Sequence, residues 1–515
     1  MGREEQIINE RLRKIKELKE QKINPYPHKF DVKNYARGLQ EKYSKLKPDA
    51  KKKDSVRVAG RLMSIRDLGK IAFGVLKDSS GEIQITLQEK ETKEDVRKFF
   101  KKFVDSGDIV GVEGMIFRTK RGELSVLVKK LDLLSKSMLP LPAKWHGLQD
   151  KEERYRKRYL DLIMQPEVME TFVKRQKIIN LTRDFLIGKG FNEVETPLLQ
   201  PLYGGAEAQP FITKLNALDM PLYMSISPEI YLKKLLVGGM DRVFTICKNF
   251  RNEGIDKSHN PEFTMMEAYA SYWDYNDVMK MTEQLLEMLA KKITGKTNVS
   301  YQGKEIDFKA PFKVLRIEDA IKKYAGIDPC DDAALLQEVQ KLNFMGTRDE
   351  MIQFLFDERV EKHLIQPIFI IDYPKSICPL TKEHRRNLGE VERFELFVNG
   401  MELANAYSEL NDPIEQEKRL KEQLRERKKS GKFQVHLEAN ELDEDFVNAM
   451  KHGMPPAGGI GIGIDRLVMF LTDSASIRDV ILFPFMKPLD SKKTEAGQRS
   501  SFIRFDSQKQ TKGGK

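Results

Sequence analysis

Charged residues interrupt two strand-like runs near the middle of the chain, and this interruption constrains the fold most. The run at 243–251, VFTICKNFR, alternates with a period of two and directs Arg251 away from its apolar face. The second run places four side chains on one face: Phe263, Met265, Glu267 and Tyr269. Charges inside an apolar pattern cost free energy unless something pairs with them. We therefore expect a ligand site here; the alternative is a hairpin whose charges face solvent.

The loop between these runs, NEGIDKSHNPE, is longer than an ordinary hairpin turn. Such length usually marks function. It carries Glu253 and His259, and from the residues alone His259 is best interpreted as an ordinary loop histidine.

A second group of polar residues lies in RFELFVNGMELANAYSELNDP, residues 393–413. Asn-Gly at 399–400 between strand-like runs predicts a two-residue hairpin, which places Glu395 and Glu402 on one face. Two such carboxylates repel each other unless a cation lies between them, and Mg²⁺ prefers oxygen ligands; the alternative is that each is solvated separately. Strict alternation puts Asn405, Tyr407 and Glu409 on the opposite face. If all five residues serve one site, an extra residue must bring the two groups to the same face, and we expect this β-bulge near Ala404.

The glycine-rich stretch PPAGGIGIGIDRLVMFLTD, residues 455–473, predicts a strand followed by a helix. Glycines in a strand allow close approach of the backbone to another group. We expect Asp465 to cap the helix. Arg466 in the first turn opposes the helix dipole, which indicates an anionic ligand.

The segment SISPEIYLKKLLVGG has the punctuation of a helix. Ser227 is the expected N-cap, Pro228 the first helical residue and Gly238 the end. Taken alone, Glu229 in the first turn has a sufficient structural reason in the helix dipole.

Short strands dominate residues 56–134, with a helical interval after the third of five. This pattern predicts the partly open barrel called the OB-fold, which commonly binds single-stranded nucleic acid. Residues 4–22 predict an amphipathic helix with a basic face.

Composition limits the classes of protein that remain. The 515 residues are 40% hydrophobic and 32% charged, as in globular proteins. A net charge of +11 favours a polyanionic partner, either nucleic acid or an anionic membrane surface. The three cysteines form no C-x-x-C pair, the N-terminus reads MGREEQIINERLRK rather than a signal peptide, and no apolar run approaches about 20 residues. We expect a cytoplasmic protein without a membrane span.

Together these segments resemble the lysyl type of class II aminoacyl-tRNA synthetases. FNEVETPLLQP, FRNEG…HNPEFTMMEAY and GIGIGIDRLVMFL match the three class motifs in order, and the similarity runs from about residue 5 to 488. The resemblance implies an α+β fold, with an N-terminal OB-fold barrel followed by an antiparallel β-sheet domain flanked by helices. The expected parts are a helical extension (1–54), an anticodon-binding barrel (55–138), a linker (139–165), a catalytic domain (166–488) and a basic, disordered tail (489–515).

The resemblance also implies a reaction. L-lysine and ATP form lysyl-adenylate and pyrophosphate, and the lysyl group then passes to the terminal adenosine of tRNA(Lys). Arg251 and Arg466 are the implied catalytic residues. The implied ATP contacts are Arg251, Glu253, His259, Phe263 and Arg466, with Glu395 and Glu402 holding Mg²⁺.

The implied lysine pocket places Glu409 and Tyr269 at the ε-ammonium, Glu229 at the α-amino group and Asn405 near the carboxylate. Gly205, Glu267 and Tyr407 complete it. In the barrel, the resemblance makes Phe73 a stacking platform for an anticodon base, Gln84 its reader and Glu123 a further contact. From the residues alone, Phe73 is equally interpreted as a core aromatic.

The sequence leaves other functions open. They are an aspartyl- or asparaginyl-type synthetase, which the acidic Glu409 opposes, a protein-lysylating paralogue, and a nucleic-acid-binding protein with an inactive catalytic domain. The resemblance further implies a homodimer through residues 175–201. The chain departs from the usual family pattern at Gln209, Ser225, Cys247 and Lys248.

Overall fold

The computed structural model describes residues 2–142, 148–430 and 443–489. The described parts of Met1–Gln149 and Lys487–Lys515 form one compact unit, and those of Asp150–Met486 form a second. The predicted tail at 489–515 lies outside the described residues except for Leu489. In the described ranges no helix has both the length and the apolar character needed to cross a membrane.

The first unit contains five strands and three helices. In chain order they are α1 (Arg3–Glu20), α2 (Ala36–Lys42), β1 (Lys51–Asp67), β2 (Ile71–Lys77), β3 (Glu82–Gln88), α3 (Glu94–Phe103), β4 (Ile109–Arg118) and β5 (Leu124–Ser135). The strands close into a barrel in the order β1-β2-β3-β5-β4, with α3 after the third strand as predicted. The barrel is closed rather than partly open.

Alternation in the strands fills the interior of this barrel. In β2, every second residue is buried, because successive side chains of a strand point to opposite faces. The predicted N-terminal helix forms and packs on the same unit. Arg11 of α1 donates to the carbonyl oxygens of Ser106, Ser137 and Leu139, and Lys14 Nζ lies 2.8 Å from Asp105 Oδ1.

The second unit combines helices with one large sheet. Its helices are α4 (Lys151–Arg156), α5 (Arg158–Met164), α6 (Pro166–Gly188), α7 (Glu229–Val237), α8 (Tyr275–Thr294), α9 (Ile317–Ala325), α10 (Asp332–Lys341), α11 (Arg348–Arg359), α12 (Pro413–Ser430), α13 (Glu444–Lys451), α14 (Ile464–Thr472) and α15 (Ile477–Val480), with short 3-10 turns at Glu361–His363 and Lys375–Ile377. Its strands are β6 (Asn192–Glu193), β7 (Leu199–Gln200), β8 (Ile212–Leu215), β9 (Met220–Met224), β10 (Arg242–Phe250), β11 (Glu262–Ser271), β12 (Asn298–Tyr301), β13 (Lys304–Asp307), β14 (Lys313–Arg316), β15 (Ile368–Pro374), β16 (Glu390–Val398), β17 (Met401–Ser408) and β18 (Ala457–Gly463).

Eight strands form the large sheet in the order β14-β15-β16-β17-β18-β11-β10-β6. The six central strands are antiparallel, as predicted, whereas β14 and β6 pair in parallel at the two edges. One face of the sheet packs against α6, α8 and α14 in the main core, which includes Met266 and Ala268 of β11. Because side chains alternate along a strand, Met265, Glu267 and Tyr269 point to the other face.

Candidate active site

The face of the sheet opposite the main core holds a cavity of about 410 Å³. It is lined by nearly all residues that the sequence predicts for the catalytic part: Gly205, Glu229, Arg251, Glu253, His259, Phe263, Glu267, Tyr269, Glu395, Glu402, Asn405, Tyr407 and Arg466. Glu409 does not line it. Residues separated by more than 250 positions in the chain therefore share one cavity.

The two predicted strands are β10 and β11, which pair antiparallel, and Arg251 follows β10 directly. Its guanidinium carbon lies 5.2 Å from the centre of the Phe263 ring, a cation–π arrangement. Its Nε atom is buried and has no hydrogen-bond partner within the described ranges. An unsatisfied buried donor beside a cavity is suited to an anionic ligand.

Glu267 projects from β11 into the cavity and is almost completely buried. Ser227 Oγ donates to its Oε1 at 2.9 Å, and the Tyr269 hydroxyl donates to its Oε2 at 3.3 Å. Burial, reinforced by repulsion from Glu229, raises the pKa of Glu267 to about 8. Near neutral pH the protonated form of this carboxyl group is therefore favoured.

Helix α7 supplies Glu229 to the same cavity. The helix begins at Glu229 with Pro228 as its N-cap, one residue later than predicted, and ends with Gly238 as its C-cap, as predicted; Ser227 Oγ still accepts a hydrogen bond from the Glu229 backbone N–H at 3.1 Å. The Tyr407 hydroxyl donates to Glu229 Oε2 at 2.6 Å. Gly205 packs against this carboxylate's side chain, since a Cβ added to Gly205 would lie 2.9 Å from the Cβ of Glu229.

Glu409 lies behind the cavity wall and has no exposed surface. The Nζ atom of Lys233 is 2.6 Å from its Oε2, and its Oε1 has no hydrogen-bond partner in the part of the chain that the structure describes. Glu409 packs directly against Gly459, which lines the cavity. A Cβ at position 459 would lie 2.1 Å from Glu409 Oε1, so this contact requires glycine. Burial raises the pKa of Glu409 to about 8, although Lys233 opposes the rise.

A β-bulge in β17 brings the second group together. Leu396 pairs with Ala404 and Phe397 pairs with Glu402, so Leu403 is the extra residue. The expected hairpin turn forms at 399–400, where both residues have positive φ. Without the extra residue, Glu402 and Asn405 would lie on opposite faces; with it, both reach the cavity. The bulge predicted near Ala404 is confirmed.

Glu395 is buried in a network of donors. The Tyr373 hydroxyl donates to its Oε2 at 2.8 Å, Asn405 Nδ2 donates to its Oε1 at 3.3 Å, and Arg393 forms an ion pair with it. Burial raises the pKa of Glu395 to about 7; Arg393 opposes this rise and Glu402 adds to it.

Glu402 is more exposed, and its Oε2 lies 3.6 Å from Arg466 Nη1. Within the described residues, no cluster of three or more His, Cys, Asp or Glu side chains could hold a metal ion. Two carboxylates facing one cavity nevertheless fit Mg²⁺, which is commonly bound by one or two carboxylates together with substrate phosphates.

The loop that follows Arg251 places His259 beside Arg466. His259 Nδ1 lies 2.7 Å from Asp256 Oδ2, and its Nε2 lies 3.2 Å from Arg466 Nη2. Burial opposes ionisation of Asp256, but hydrogen bonds from Ser258 and His259 outweigh it and lower the pKa of Asp256 to about 2. The loop is therefore an ordered, charged edge of the cavity.

The predicted cap of α14 is wrong. The helix begins at Ile464, and Asp465 lies inside its first turn. Its carboxylate instead accepts a hydrogen bond from the Thr264 backbone N–H at 2.6 Å and pairs with Arg175 of α6. Asp465 thus links α14 to β11 and α6 rather than capping its own helix, because the fold brings the donors of Thr264 and Arg175 to its carboxylate.

Sequence reasoning missed Lys233 and Arg393. Arg393 lies two residues before Glu395 in β16, so alternation could have placed it on the same face. Lys233 lies four residues after Glu229 on a helix, a spacing that brings side chains together. Its neighbour Lys234 is the same residue type, and only the fold distinguishes the buried Lys233 from the half-buried Lys234.

The barrel presents Phe73, Gln84 and Glu123 differently from core residues. Phe73 is half-buried and lies outside the barrel's apolar core. Gln84 Nε2 donates to Ser125 Oγ at 2.6 Å, which holds the amide near the turn where Glu123 is exposed. The alternative prediction, that Phe73 is an aromatic residue of the barrel core, is therefore wrong.

Comparison with known proteins gives two family matches and a set of close relatives. Residues 150–487 match the family described as class II tRNA synthetases (D, K and N), and residues 56–134 match the OB-fold nucleic acid binding domain. A lysine–tRNA ligase of Methanoculleus marisnigri is 50% identical over 92% of this chain and 94% of its own length. Lysine–tRNA ligases of Carboxydothermus hydrogenoformans and Thermotoga maritima are 47% and 46% identical, over 94% and 96% of this chain and 99% and 98% of their own.

Proposed function

The chain belongs to the class II tRNA synthetases, in the lysine–tRNA ligase family, and we propose on that basis how its cavity carries out the reaction. The enzyme activates L-lysine with ATP to form lysyl-adenylate and pyrophosphate, and then transfers the lysyl group to the terminal adenosine of tRNA(Lys).

One observation carries the assignment of the cavity. The same cavity joins buried carboxylates, Glu229 and Glu267, to the guanidinium groups of Arg251 and Arg466. A diamino acid brings two ammonium groups and one carboxylate, and ATP brings phosphates, so each charged group of the substrates meets the opposite charge. An aspartate-specific site would need cations where this cavity holds carboxylates, which disfavours the aspartyl and asparaginyl alternatives.

The activation step needs no nucleophile from the protein. An oxygen of the lysine carboxylate forms a bond to the α-phosphorus, and the bond from that phosphorus to the pyrophosphate oxygen breaks. Arg251, with its unsatisfied Nε donor, is placed to hold the carboxylate and α-phosphate together and to neutralise the charge that grows between them. Phe263 stacks on adenine, Glu253 contacts the nucleoside, and His259 and Arg466 bind the outer phosphates.

For the amino acid, Glu229 and Gly205 are assigned to the α-amino group and Asn405 to the carboxylate. Tyr269, Glu267 and Glu409 are assigned to the ε-ammonium. Tyr407 acts through Glu229, to which its hydroxyl donates.

We further propose that Glu395 and Glu402 hold Mg²⁺ with the nucleotide. The ion supplies charge neutralisation on the phosphates. The raised pKa of Glu395, to which the neighbouring Glu402 contributes, supports this assignment because a divalent cation would relieve their repulsion.

In the transfer step, a hydroxyl of the tRNA's terminal ribose attacks the carbonyl carbon of lysyl-adenylate, and AMP leaves. Phe73, Gln84 and Glu123 of the barrel are assigned to the anticodon. The partial exposure of Phe73 supports a stacking role.

A homodimer through residues 175–201 and a cytoplasmic location are also proposed. Three large apolar side chains in that range are exposed in the single chain: Ile187, Leu198 and Leu199. Exposed large apolar side chains of this kind are compatible with an interface. Measurement of the molar mass in solution tests the dimer.

The function is tested by ATP–pyrophosphate exchange with each amino acid, followed by charging of total tRNA. Exchange with L-lysine and lysylation of tRNA are expected. Exchange with aspartate or asparagine would favour the related synthetases, exchange without tRNA charging would favour a protein-lysylating paralogue, and no exchange would indicate an inactive tRNA-binding protein.

A further inference from the structure

A buried lysine of the protein itself lies between two of the pocket carboxylates. The Nζ atom of Lys233 is 2.6 Å from Glu229 Oε1 and 2.6 Å from Glu409 Oε2, and the Lys233 side chain has no exposed surface. It also lies 5.5 Å from the centre of the Tyr407 ring. One ammonium group therefore holds both carboxylates at once.

These two carboxylates have different tasks in the proposed function. Glu229 is assigned to the α-amino group of lysine and Glu409 to its ε-ammonium. Since both pair with the same Nζ atom, their relative position is fixed before the substrate arrives. Side chains held in advance lose less conformational freedom when the ligand binds, which favours affinity.

We propose that Lys233 is a positioning residue for amino-acid recognition, which holds Glu229 and Glu409 at the spacing that the two ammonium groups of L-lysine require. This inference rests on the proposed function. Lys233 lies behind the cavity wall and contacts the carboxylates rather than the substrate.

Ionisation gives the lysine a second effect. Burial disfavours its ammonium form, but Glu229 and Glu409 outweigh burial and raise the pKa of Lys233. The charged lysine in turn opposes the burial that raises the pKa of Glu409. The titratable groups around Lys233 are Glu229, Glu409 and Tyr407, together with Glu267 and Tyr269 from β11. All of these are acids; Lys233 opposes the rise in the pKa of Glu409, and Arg251 opposes that of Glu267.

The main test replaces Lys233 with methionine, which keeps its length and removes its charge. In lysine-dependent ATP–pyrophosphate exchange, Lys233→Met should raise the KM for lysine about 30-fold or more, because a buried carboxylate loses its counter-ion. The KM for ATP should change less than about threefold, since the nucleotide contacts are elsewhere in the cavity. A KM for lysine that stays within threefold of the wild type overturns the inference.

Lys234 provides a matched control on the same helix. Its Nζ lies 2.6 Å from Asp445, an exposed residue away from the cavity. Lys234→Met should leave both KM values unchanged. Equal effects of the two substitutions would show a general effect on α7 and would overturn the inference.

The pH profile separates positioning from folding. In Lys233→Met, the acidic limb of log kcat/KM for lysine should move to higher pH, because Glu409 has lost the cation that opposes the rise of its pKa. An unshifted limb contradicts the proposal. If Lys233→Met does not fold, Lys233→Ala is assayed with added propylammonium, which replaces the missing atoms and charge: recovery of lysine-dependent exchange supports the proposal, and no recovery assigns Lys233 to stability alone.

The wild-type enzyme distinguishes the two levels of inference. If it shows no exchange with L-lysine, the proposed function fails. If it exchanges lysine normally while Lys233→Met does so equally well, only the role of Lys233 fails.

Discussion

The Nη2 atom of Arg466 lies 3.2 Å from Nε2 of His259, although the two residues are 207 positions apart. His259 is held from its other side by Asp256, so Nδ1 has an acceptor and Nε2 is free to accept from the arginine. The pair forms a preorganised edge of the cavity. Groups fixed in advance around a developing charge are those that contribute most to catalysis.

Loss of this pair is expected to impair the use of ATP. Arg466→Ala should lower kcat/KM for ATP in the exchange reaction on the order of 100-fold, because it removes the guanidinium that we assign to the outer phosphates. His259→Ala should have a smaller effect in the same direction. The KM for lysine serves as the control and should remain nearly constant. Arg466→Ala with normal ATP kinetics would contradict the assignment.

Glu409 should affect the amino acid rather than the nucleotide. Glu409→Gln removes the charge that is assigned to the ε-ammonium, and it leaves Lys233 with Glu229 as its remaining carboxylate partner. We expect the KM for lysine to rise far more than the KM for ATP in steady-state exchange. Equal changes in both constants would count against an ammonium-binding role.

The raised pKa values of Glu267 and Glu409, both about 8, predict a pH dependence of lysine recognition. Below that pH the carboxyl groups hold protons and bind an ammonium poorly. Well below pH 8, log kcat/KM for lysine should therefore rise by about one per pH unit for each group that must ionise. Kinetics between pH 6 and 9 test this, and Glu267→Gln should remove one group from the profile.

The same shift has a consequence for stability. The folded-state pKa of Glu267 lies above its ordinary value of 4.5, so the neutral acid favours folding below that value, and this contribution is lost as the pH rises through about 8. Between these two pH values, the Tm of the variant Glu267→Gln should therefore depend less on pH than the Tm of the wild type. Saturating lysine should stabilise the wild type more than the variant.

Much of this cavity followed from local patterns in the sequence. Alternation placed Phe263, Met265, Glu267 and Tyr269 on one face, and the conflict between that rule and the residues after Asn399-Gly400 indicated the bulge. These predictions succeeded because register in a hairpin depends on nearby residues.

The failures concern groups whose partners are distant in the chain. Asp465 has the position of a helix cap, yet it binds Thr264 and Arg175, which only the fold brings near. Lys233 and Lys234 are indistinguishable by type and differ only in what packs around them. In the barrel the sequence pattern was only partly sufficient. Alternation divides the residues of β2 between two faces, but it does not show whether the face that carries Phe73 is the interior or the exterior.

Phe73 should affect tRNA charging and leave amino-acid activation intact. Phe73→Ala removes an aromatic face that can stack on an anticodon base, which contributes roughly 1–3 kcal/mol. The kcat/KM for tRNA should fall about tenfold to 100-fold, with unchanged ATP–pyrophosphate exchange. Tyr35→Ala, at another exposed aromatic residue of the same unit, is the control. A parallel loss of exchange would point to a folding role instead.

Gly459 tests how closely the backbone must approach the acidic pocket. A Cβ at this position would lie 2.1 Å from Glu409 Oε1 and 2.4 Å from Tyr269 Cε1, so Gly459→Ala must displace both groups assigned to the ε-ammonium. In the same strand, a Cβ on Gly463 would meet nothing closer than 3.7 Å. Overpacking of this kind costs about 1–3 kcal/mol. Gly459→Ala should therefore lower the Tm and raise the KM for lysine, whereas Gly463→Ala should do neither; equal behaviour of the two variants would show that Glu409 and Tyr269 can move without loss of lysine binding.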